Sequence, residues 1–315
     1  MSIDQLVLGT MYFGTRVEQG TAHDLMDRFV DAGGRMIDTA DAYSFWTSES
    51  GRGGQSEECV GEWLTSRPGM RARVELATKV GAEPDHPFDG EIRRTVGLGR
   101  DHVRSAVEAS LRRLRTDVVD VYWAHVPDER TPVEEVARTF GEVVAEGSAR
   151  RVGMSNFPVW QVERARAVAV AAGLQPVDAL QLHTSYVSPR PGAAVPGKDN
   201  PYGWVGVDTL SYLDAHPGTE LWVYSPLVQA SYTRRAERPF PEAYDHPGTT
   251  ARLAVLDAVA DESGLDAGQV VLAWMLARGW RPIVGVSTAE QLDSALVAAR
   301  AELAPEQLER LDAPA

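Results

Sequence analysis

An aspartate, a tyrosine, a lysine and a histidine stand at or just beyond the ends of apolar runs in this chain. Arg35-Met36-Ile37-Asp38-Thr39-Ala40-Asp41-Ala42-Tyr43 carries the first two, and the tyrosine falls in the loop after the strand. Val74-Glu75-Leu76-Ala77-Thr78-Lys79 and Val118-Val119-Asp120-Val121-Tyr122-Trp123-Ala124-His125 end in the other two. Barrel and open-sheet proteins place their chemistry at strand ends. Singly, a loop tyrosine is more often structural, and a strand-end histidine is often a hydrogen-bonded core residue. A buried ammonium is harder to dismiss, because it needs a partner. Asp38 supplies that partner for Lys79 if their strands are neighbours.

Together the four residues make mechanistic sense. A phenol with an ordinary pKa of about 10 is a weak acid at neutral pH. A Lys79 cation beside Tyr43 is expected to favour phenolate and strengthen the acid. Asp38 would hold the lysine, and His125 would orient a carbonyl oxygen or share the proton. The set suits protonation of a carbonyl oxygen during reduction. No side chain carries the matching hydride, so a nicotinamide cofactor is expected.

The elements that must position these residues alternate regularly. Short apolar strands are expected at 6–8, 35–38, 73–79, 118–124, 151–154, 178–182, 220–224 and 281–285. Helical spacing covers 21–33, 57–66 with Ser56 as N-cap, 101–114, 133–146, 159–172, 206–215, 250–263, 266–278 and 289–299, followed by a short tail. Strands separated by helical crossovers form parallel sheets. Eight such strands without a linker predict one α/β domain over residues 1–315, a closed (β/α)8 TIM barrel. A doubly wound sheet is the alternative, but no Gly-x-Gly-x-x-Gly follows the first strand.

A formal net charge of −14 argues against nucleic acid or an anionic membrane as the main partner. The single cysteine, Cys59, excludes an internal disulfide framework and fits a reducing compartment. No basic-then-apolar leader opens the chain, and no apolar run reaches the roughly 18 residues of a membrane span. A cytoplasmic protein is expected. The seven histidines show no metal-ligand spacing, so no metal is expected. Gly51-Arg52-Gly53-Gly54-Gln55-Ser56 lacks the Lys-Ser/Thr ending of a P-loop, and no Gly-x-Ser-x-Gly elbow occurs.

Eight blocks, in order from about residue 6 to residue 299, resemble the aldo-keto reductases. They are Gly9-Thr10-Met11, Ile37-Asp38-Thr39-Ala40-Asp41-Ala42-Tyr43, Ser56-Glu57-Glu58, Ala77-Thr78-Lys79, Val121-Tyr122-Trp123-Ala124-His125, Gly153-Met154-Ser155-Asn156-Phe157, Ala179-Leu180-Gln181 and Tyr224-Ser225-Pro226-Leu227. The resemblance implies a TIM barrel that reduces carbonyls with NADPH, or NADH, at its C-terminal face. It implies Tyr43 as general acid, Lys79 and Asp38 tuning it, and His125 at the oxyanion site. Ser155, Asn156 and Gln181 would hold the carboxamide, and Tyr224 would stack on the nicotinamide ring. Gly9, Thr10, Met11, Asp38, Ser225, Leu227 and Gln229 would line the cofactor, and Gly285-Val286-Ser287-Thr288 with Gln291 would seat its adenosine phosphate at a helix N-terminus.

The chain also departs from the family pattern. Most of the N-terminal hairpin that often plugs the barrel floor is expected to be missing. Val228-Gln229-Ala230-Ser231-Tyr232 replaces Gly-rich sequence, and Ser294-Ala295 stands where a Glu-Asn pair commonly contacts adenine. Residues 285–288 contain no Arg or Lys for a 2′-phosphate, a charge that Arg234 or Arg235 would have to supply. Substrate choice is expected from loops 44–55, 80–99 and 186–204, which carry Phe45, Trp46, Tyr186, Tyr202 and Trp204, together with Trp123. Trp46 and Trp123 are the substrate candidates. The expected partner is a small carbonyl compound (aldehyde, ketone or keto-sugar), and the expected assembly a monomer or small homo-oligomer. A rival reading, from the potassium-channel β subunits that share this fold, is a redox-sensing nicotinamide-binding subunit with little turnover.

Overall fold

The computed structural model describes residues 3–198 and 200–313. Eight parallel strands close a barrel in chain order: β1 Val7–Gly9, β2 Met36–Asp38, β3 Glu75–Val80, β4 Val119–Ala124, β5 Ala149–Ser155, β6 Val177–His183, β7 Glu220–Tyr224 and β8 Arg281–Gly285. Around it lie α1 Gln19–Asp31, α2 Gln55–Thr65, α3 Arg100–Leu114, α4 Val133–Ala145, α5 Val159–Ala171, α6 Val207–Ala215, α7 Pro247–Ser263, α8 Ala267–Ala277, α9 Ala289–Arg300 and α10 Pro305–Asp312. The predicted barrel is therefore the observed one. Ile3–Gln5 makes a single 3-10 turn ahead of β1, and no strand precedes β1 among the described residues. No helix among them is long and apolar enough to cross a membrane.

Helix packing follows the sequence pattern. α1 buries Leu25, Met26, Phe29 and Val30, one apolar face at helical spacing. Gly33 then turns the chain with φ 104°, a conformation that only glycine takes freely. α8 is buried from Val270 through Leu276 because α7 covers its outer side, so two helices fill the β7–β8 crossover. Asp266 and Gln269 cap it reciprocally, at 2.8 and 3.0 Å.

Two expectations need correction. α2 starts at Gln55 with Gly54 as its N-cap, at φ 113°, and Ser56 lies inside the helix. The Ser56 hydroxyl is turned inward instead, donating to Thr10 O at 2.8 Å and sharing a 2.7 Å hydrogen bond with Thr39 Oγ1. It ties the loops after β1 and β2 together. The tail past residue 299 contains α10, which buries Leu311 and whose Asp312 accepts from Trp274 Nε1 at 2.7 Å.

Inside the barrel, side chains two residues apart on a strand share one face, so the interior is layered. At the N-terminal end, Glu220 pairs with Arg151 at 3.1 Å and with Arg281 at 3.3 Å. Above this ionic floor lie Val7, Met36, Ala77, Val121, Trp123, Ala179, Trp222 and Ile283. Trp123 and Trp222 meet edge to face with centroids 5.1 Å apart. Gly153 is required here, because a Cβ on it would stand 2.1 Å from the Trp123 ring. Trp123 is fully enclosed, so it packs the barrel centre and is not the substrate contact expected from its place before His125. One step further toward the C-terminal mouth, on the same face, come Gly9, Asp38, Lys79, His125, Ser155, Gln181 and Tyr224.

Candidate active site

Lys79 organises the mouth. Its Nζ donates to Asp38 Oδ2 at 2.6 Å, Thr39 O at 2.7 Å and Tyr43 Oη at 2.6 Å, three acceptors for the three hydrogens of an ammonium. The Lys79 and Asp38 side chains are 0% and 1% exposed. The β2–β3 register that pairs Asp38 with Ala77 brings them together, because Lys79 lies two residues further along the same face. Gln181 Nε2 donates to Asp38 Oδ1 at 3.2 Å, so this glutamine braces the carboxylate as well as facing the mouth. Tyr43 Oη lies 3.5 Å from Asp38 Oδ2, a poor hydrogen bond beside the one it accepts from Lys79. The phenol is thus held as an acceptor by lysine, with its own O–H left to donate. The His125 ring meets the Tyr43 ring edge to face, with centroids 5.9 Å apart.

Burial dominates the electrostatics of the site. Burial, then the Asp38 charge, pushes the Tyr43 phenol well above its ordinary pKa. Lys79 nevertheless donates to the phenol oxygen, a hydrogen bond that grows stronger as the oxygen takes on negative charge. Burial drives both members of the pair toward neutrality, raising Asp38 and lowering Lys79, while their mutual attraction opposes it. Burial, then the Lys79 charge, holds the His125 pKa well below the ordinary range. At neutral pH the site therefore presents a protonated phenol beside a neutral imidazole. Behind Lys79 lies an acidic shell that the sequence reading passed over. Glu57 accepts from Thr78 Oγ1 at 2.5 Å and Arg113 Nε at 2.6 Å, and both Asp41 and Glu57 favour the lysine's charge. The signal was a glutamate on the buried side of α2, flanked by Ser56 and Cys59.

The residues assigned to the cofactor fall into three groups. Ser155, Asn156 and Tyr224 converge beside the tetrad. Asn156, in the left-handed region at φ 65°, donates from Nδ2 to His125 O and Ser155 Oγ, both at 3.1 Å. Its Oδ1 accepts from Tyr224 Oη at 2.6 Å and from Lys198 Nζ at 3.2 Å. Gly9, Thr10 and Met11 follow β1 toward Asp38, and Thr10 Oγ1 donates to Asp38 O at 3.1 Å. Ser225, Gln229, Gly285, Ser287 and Gln291 are exposed at the mouth after β7 and β8, with Leu227 half-buried among them. Thr288 caps α9 by accepting from Gln291 N, and Gln291 Oε1 accepts from Ser287 N at 2.7 Å, so two amides at the helix start are already paired.

Val228, Gln229 and Ala230 take φ 46°, 56° and 70° in succession. Glycine adopts these angles freely, which explains the Gly-rich sequence usual at this point; here three side-chain-bearing residues carry the strain. Arg234 is held by Glu237 and Arg235 by Asp257, so neither stands ready for a 2′-phosphate as expected. Trp46 joins an aromatic group from three loops. Its ring lies 6.3 Å from Tyr12 and 4.9 Å from Phe45, which in turn lies 5.2 Å from Phe88.

The sequence reading also missed His183, whose ring lies 4.5 Å from Trp204 and 5.2 Å from Tyr224. Burial, then the Lys198 charge, lowers its pKa to about 4. The unfolded chain binds a proton near the ordinary value of about 6.5 and the folded chain does not, so stability rises with pH across that window. Acidification from pH 6.5 to 4 is expected to cost the fold up to about 3 kcal/mol through His183 alone. The check is urea denaturation across that range, in which His183→Phe should flatten the dependence by this amount.

The sequence profile of the Aldo/keto reductase family matches residues 5–314. The versiconal hemiacetal acetate reductase of Aspergillus parasiticus is 28% identical over 100% of this chain and 94% of its own length. The oxidoreductase YrpG of Bacillus subtilis is 31% identical over 99% and 92%. Among solved structures, the aldo/keto reductase of Klebsiella pneumoniae in complex with NADP and acetate superposes with a TM-score of 0.69 at 25% identity, covering 98% of this chain and 90% of that one. The thermostable aldo-keto reductase Tm1743, bound to the inhibitor epalrestat, gives 0.71 at 25% identity over 98% and 94%. A closed barrel in chain order, with Asp38, Tyr43, Lys79 and His125 gathered at its mouth, thus coincides with a family match along nearly the whole sequence: this chain belongs to the aldo/keto reductase family.

Proposed function

We propose that the protein is an NAD(P)H-dependent reductase of small carbonyl compounds, with Tyr43 as the proton donor. The observation that carries this reading is the three-acceptor seat of Lys79, which leaves the Tyr43 O–H free to point at a reacting oxygen. A bound reduced nicotinamide supplies the hydride. The chain's own residues do the rest. Neutral His125 donates from a ring nitrogen to the carbonyl oxygen and holds it near Tyr43. As that oxygen gains charge, Tyr43 releases its proton to it. The phenolate left behind keeps the Lys79 hydrogen bond, and this is the stage at which lysine assists.

The residues present fit the cofactor. Ser155, Asn156 and Gln181 offer the donors and acceptors that an amide edge needs, and Tyr224 offers a ring face fixed through its hydroxyl. Gly9, Thr10, Met11, Ser225, Leu227 and Gln229 would follow the ribose and pyrophosphate. The α9 start, with Gly285, Ser287 and Gln291, would take the adenosine phosphate. Relatives named norsolorinic acid reductase and 6-dehydroglucose reductase support carbonyl reduction, and the aromatic group around Trp46 suits an apolar or ring-bearing carbonyl.

Titration with NADPH and NADH, followed by quenching of tryptophan fluorescence, tests the reading. Whichever cofactor quenches identifies the hydride carrier and is expected to support a carbonyl screen followed at about 340 nm. Absence of quenching by either cofactor would remove the reductase. With His125 neutral throughout, the rate at saturating substrate is expected to show no limb near pH 6.5; such a limb would show a protonating imidazole.

A further inference from the structure

The chain after β1 makes a tight turn at the barrel mouth. Gly14 N donates to Val17 O and Val17 N to Tyr12 O, both at 3.0 Å, and Phe13 and Val17 are buried beneath it. Gly14 takes φ 75°, and a Cβ on it would stand 2.8 Å from Gln55 O, so the turn is seated on the start of α2. It is also fastened beside Tyr43. Thr15 Oγ1 donates to Ser44 Oγ at 3.1 Å and Ser44 Oγ to Met11 O at 2.5 Å, and Ser44 directly follows Tyr43 in the chain.

Arg16, next to Thr15, is the exposed side chain of this turn. Its guanidinium carbon lies 4.7 Å from the centroid of the Tyr12 ring, and Tyr12 meets Trp46 edge to face at 6.3 Å. The aromatic wall of Phe88, Phe45, Trp46 and Tyr12 therefore ends in a cation. The arginines of the loops that carry this wall are already committed. Arg52 donates to Pro84 O at 2.6 Å and lies 3.8 Å from Glu83, Arg93 pairs with Asp89 at 2.8 Å, and Arg94 with Asp85 at 2.5 Å. The Arg16 side chain forms no ion pair and donates no hydrogen bond among the described residues. Its planar N–H fork is left for an acceptor that arrives from outside, and a carboxylate matches that fork best. In a chain of net charge −14, an uncommitted cation beside the acid of the site stands out.

We propose that Arg16 selects aromatic carbonyl substrates that carry a carboxylate, the ring lying along Trp46 and Tyr12 and the carboxylate accepting from the guanidinium while the carbonyl is held at Tyr43. This inference rests on the reductase reading above and names its substrate class. A phosphate of the cofactor is the other anion that the same chemistry would hold.

The test compares 4-formylbenzoate with its methyl ester, which keeps the ring and the aldehyde and removes the charge, using the reduced nicotinamide that the fluorescence titration identifies. kcat/KM is expected to favour the acid about fivefold, the size of a good exposed ion pair. Arg16→Gln is expected to bring acid and ester to parity, Arg16→Lys to keep part of the preference, and raised salt to shrink it. Because the Arg16 side chain is exposed and donates to nothing in the fold, both variants should melt as the parent does. Reduction of the ester with no preference for the acid, or a preference that survives Arg16→Gln, would overturn the inference and leave the reductase standing. Weaker cofactor quenching in Arg16→Gln with the acid preference unchanged would assign the guanidinium to the cofactor's phosphates and overturn it as well. Turnover of neither aldehyde would count against the reductase itself, and the inference would fall with it.

Discussion

Replacing Lys79 with methionine is expected to destabilise the protein by about 3–5 kcal/mol as well as to abolish turnover. The methionine fills the space but leaves the enclosed Asp38 carboxylate with only Gln181 and the Tyr43 hydroxyl, both neutral, as side-chain partners. An isolated buried charge neutralises by taking a proton, so the loss should be smaller at pH 5 than at pH 8. Removing both charges, in Lys79→Met with Asp38→Asn, is expected to restore much of the stability and none of the activity, because a buried pair is often replaceable where half a pair is not. Urea denaturation of the single and double variants at the two pH values reads all of this. A single variant as stable as the parent would mean that the pair is not ionised in the folded state.

Tyr43→Phe should behave in the opposite way. The Lys79 ammonium keeps Asp38 and Thr39 O as acceptors, so the fold is expected to survive with little change. Cofactor binding is expected to persist, while kcat falls by about 10²–10⁴-fold with KM much less affected, the effect of removing a proton donor that acts in the transition state. A Phe variant that still turns over would remove Tyr43 as the acid and would shift attention to His125.

The barrel was legible because parallel strands buried on both faces read as short apolar runs between helices. The same periodicity placed Asp38, Lys79 and Gln181 on one inner face, two residues above Met36, Ala77 and Ala179. What stayed hidden depended on the third dimension. Trp123 precedes a mouth residue in the chain, yet it points into a layer whose closure depends on a glycine two strand positions before Ser155. Ser56 has the residue type of a helix cap, but two neighbouring strand ends offered it better partners. The residue types named Lys79 and Asp38 as a pair, but how far burial outweighs both charges at Tyr43 depends on the enclosure of the site. Residues 188–205 lack periodicity, so nothing in their sequence showed that Lys198 would reach Asn156.

The edge-to-face indoles of Trp123 and Trp222, resting on the Arg151–Glu220–Arg281 cluster, turn the barrel axis into a blind alley. Trp222 Nε1 donates to Glu220 Oε2 at 2.9 Å on the floor side, and the side chains between that floor and the tetrad are otherwise apolar. In the proposed reaction, the proton that Tyr43 gives up would then be replaced from the mouth. Recharging the acid and clearing the mouth would then share one passage, and each cycle of that reaction would do them in turn.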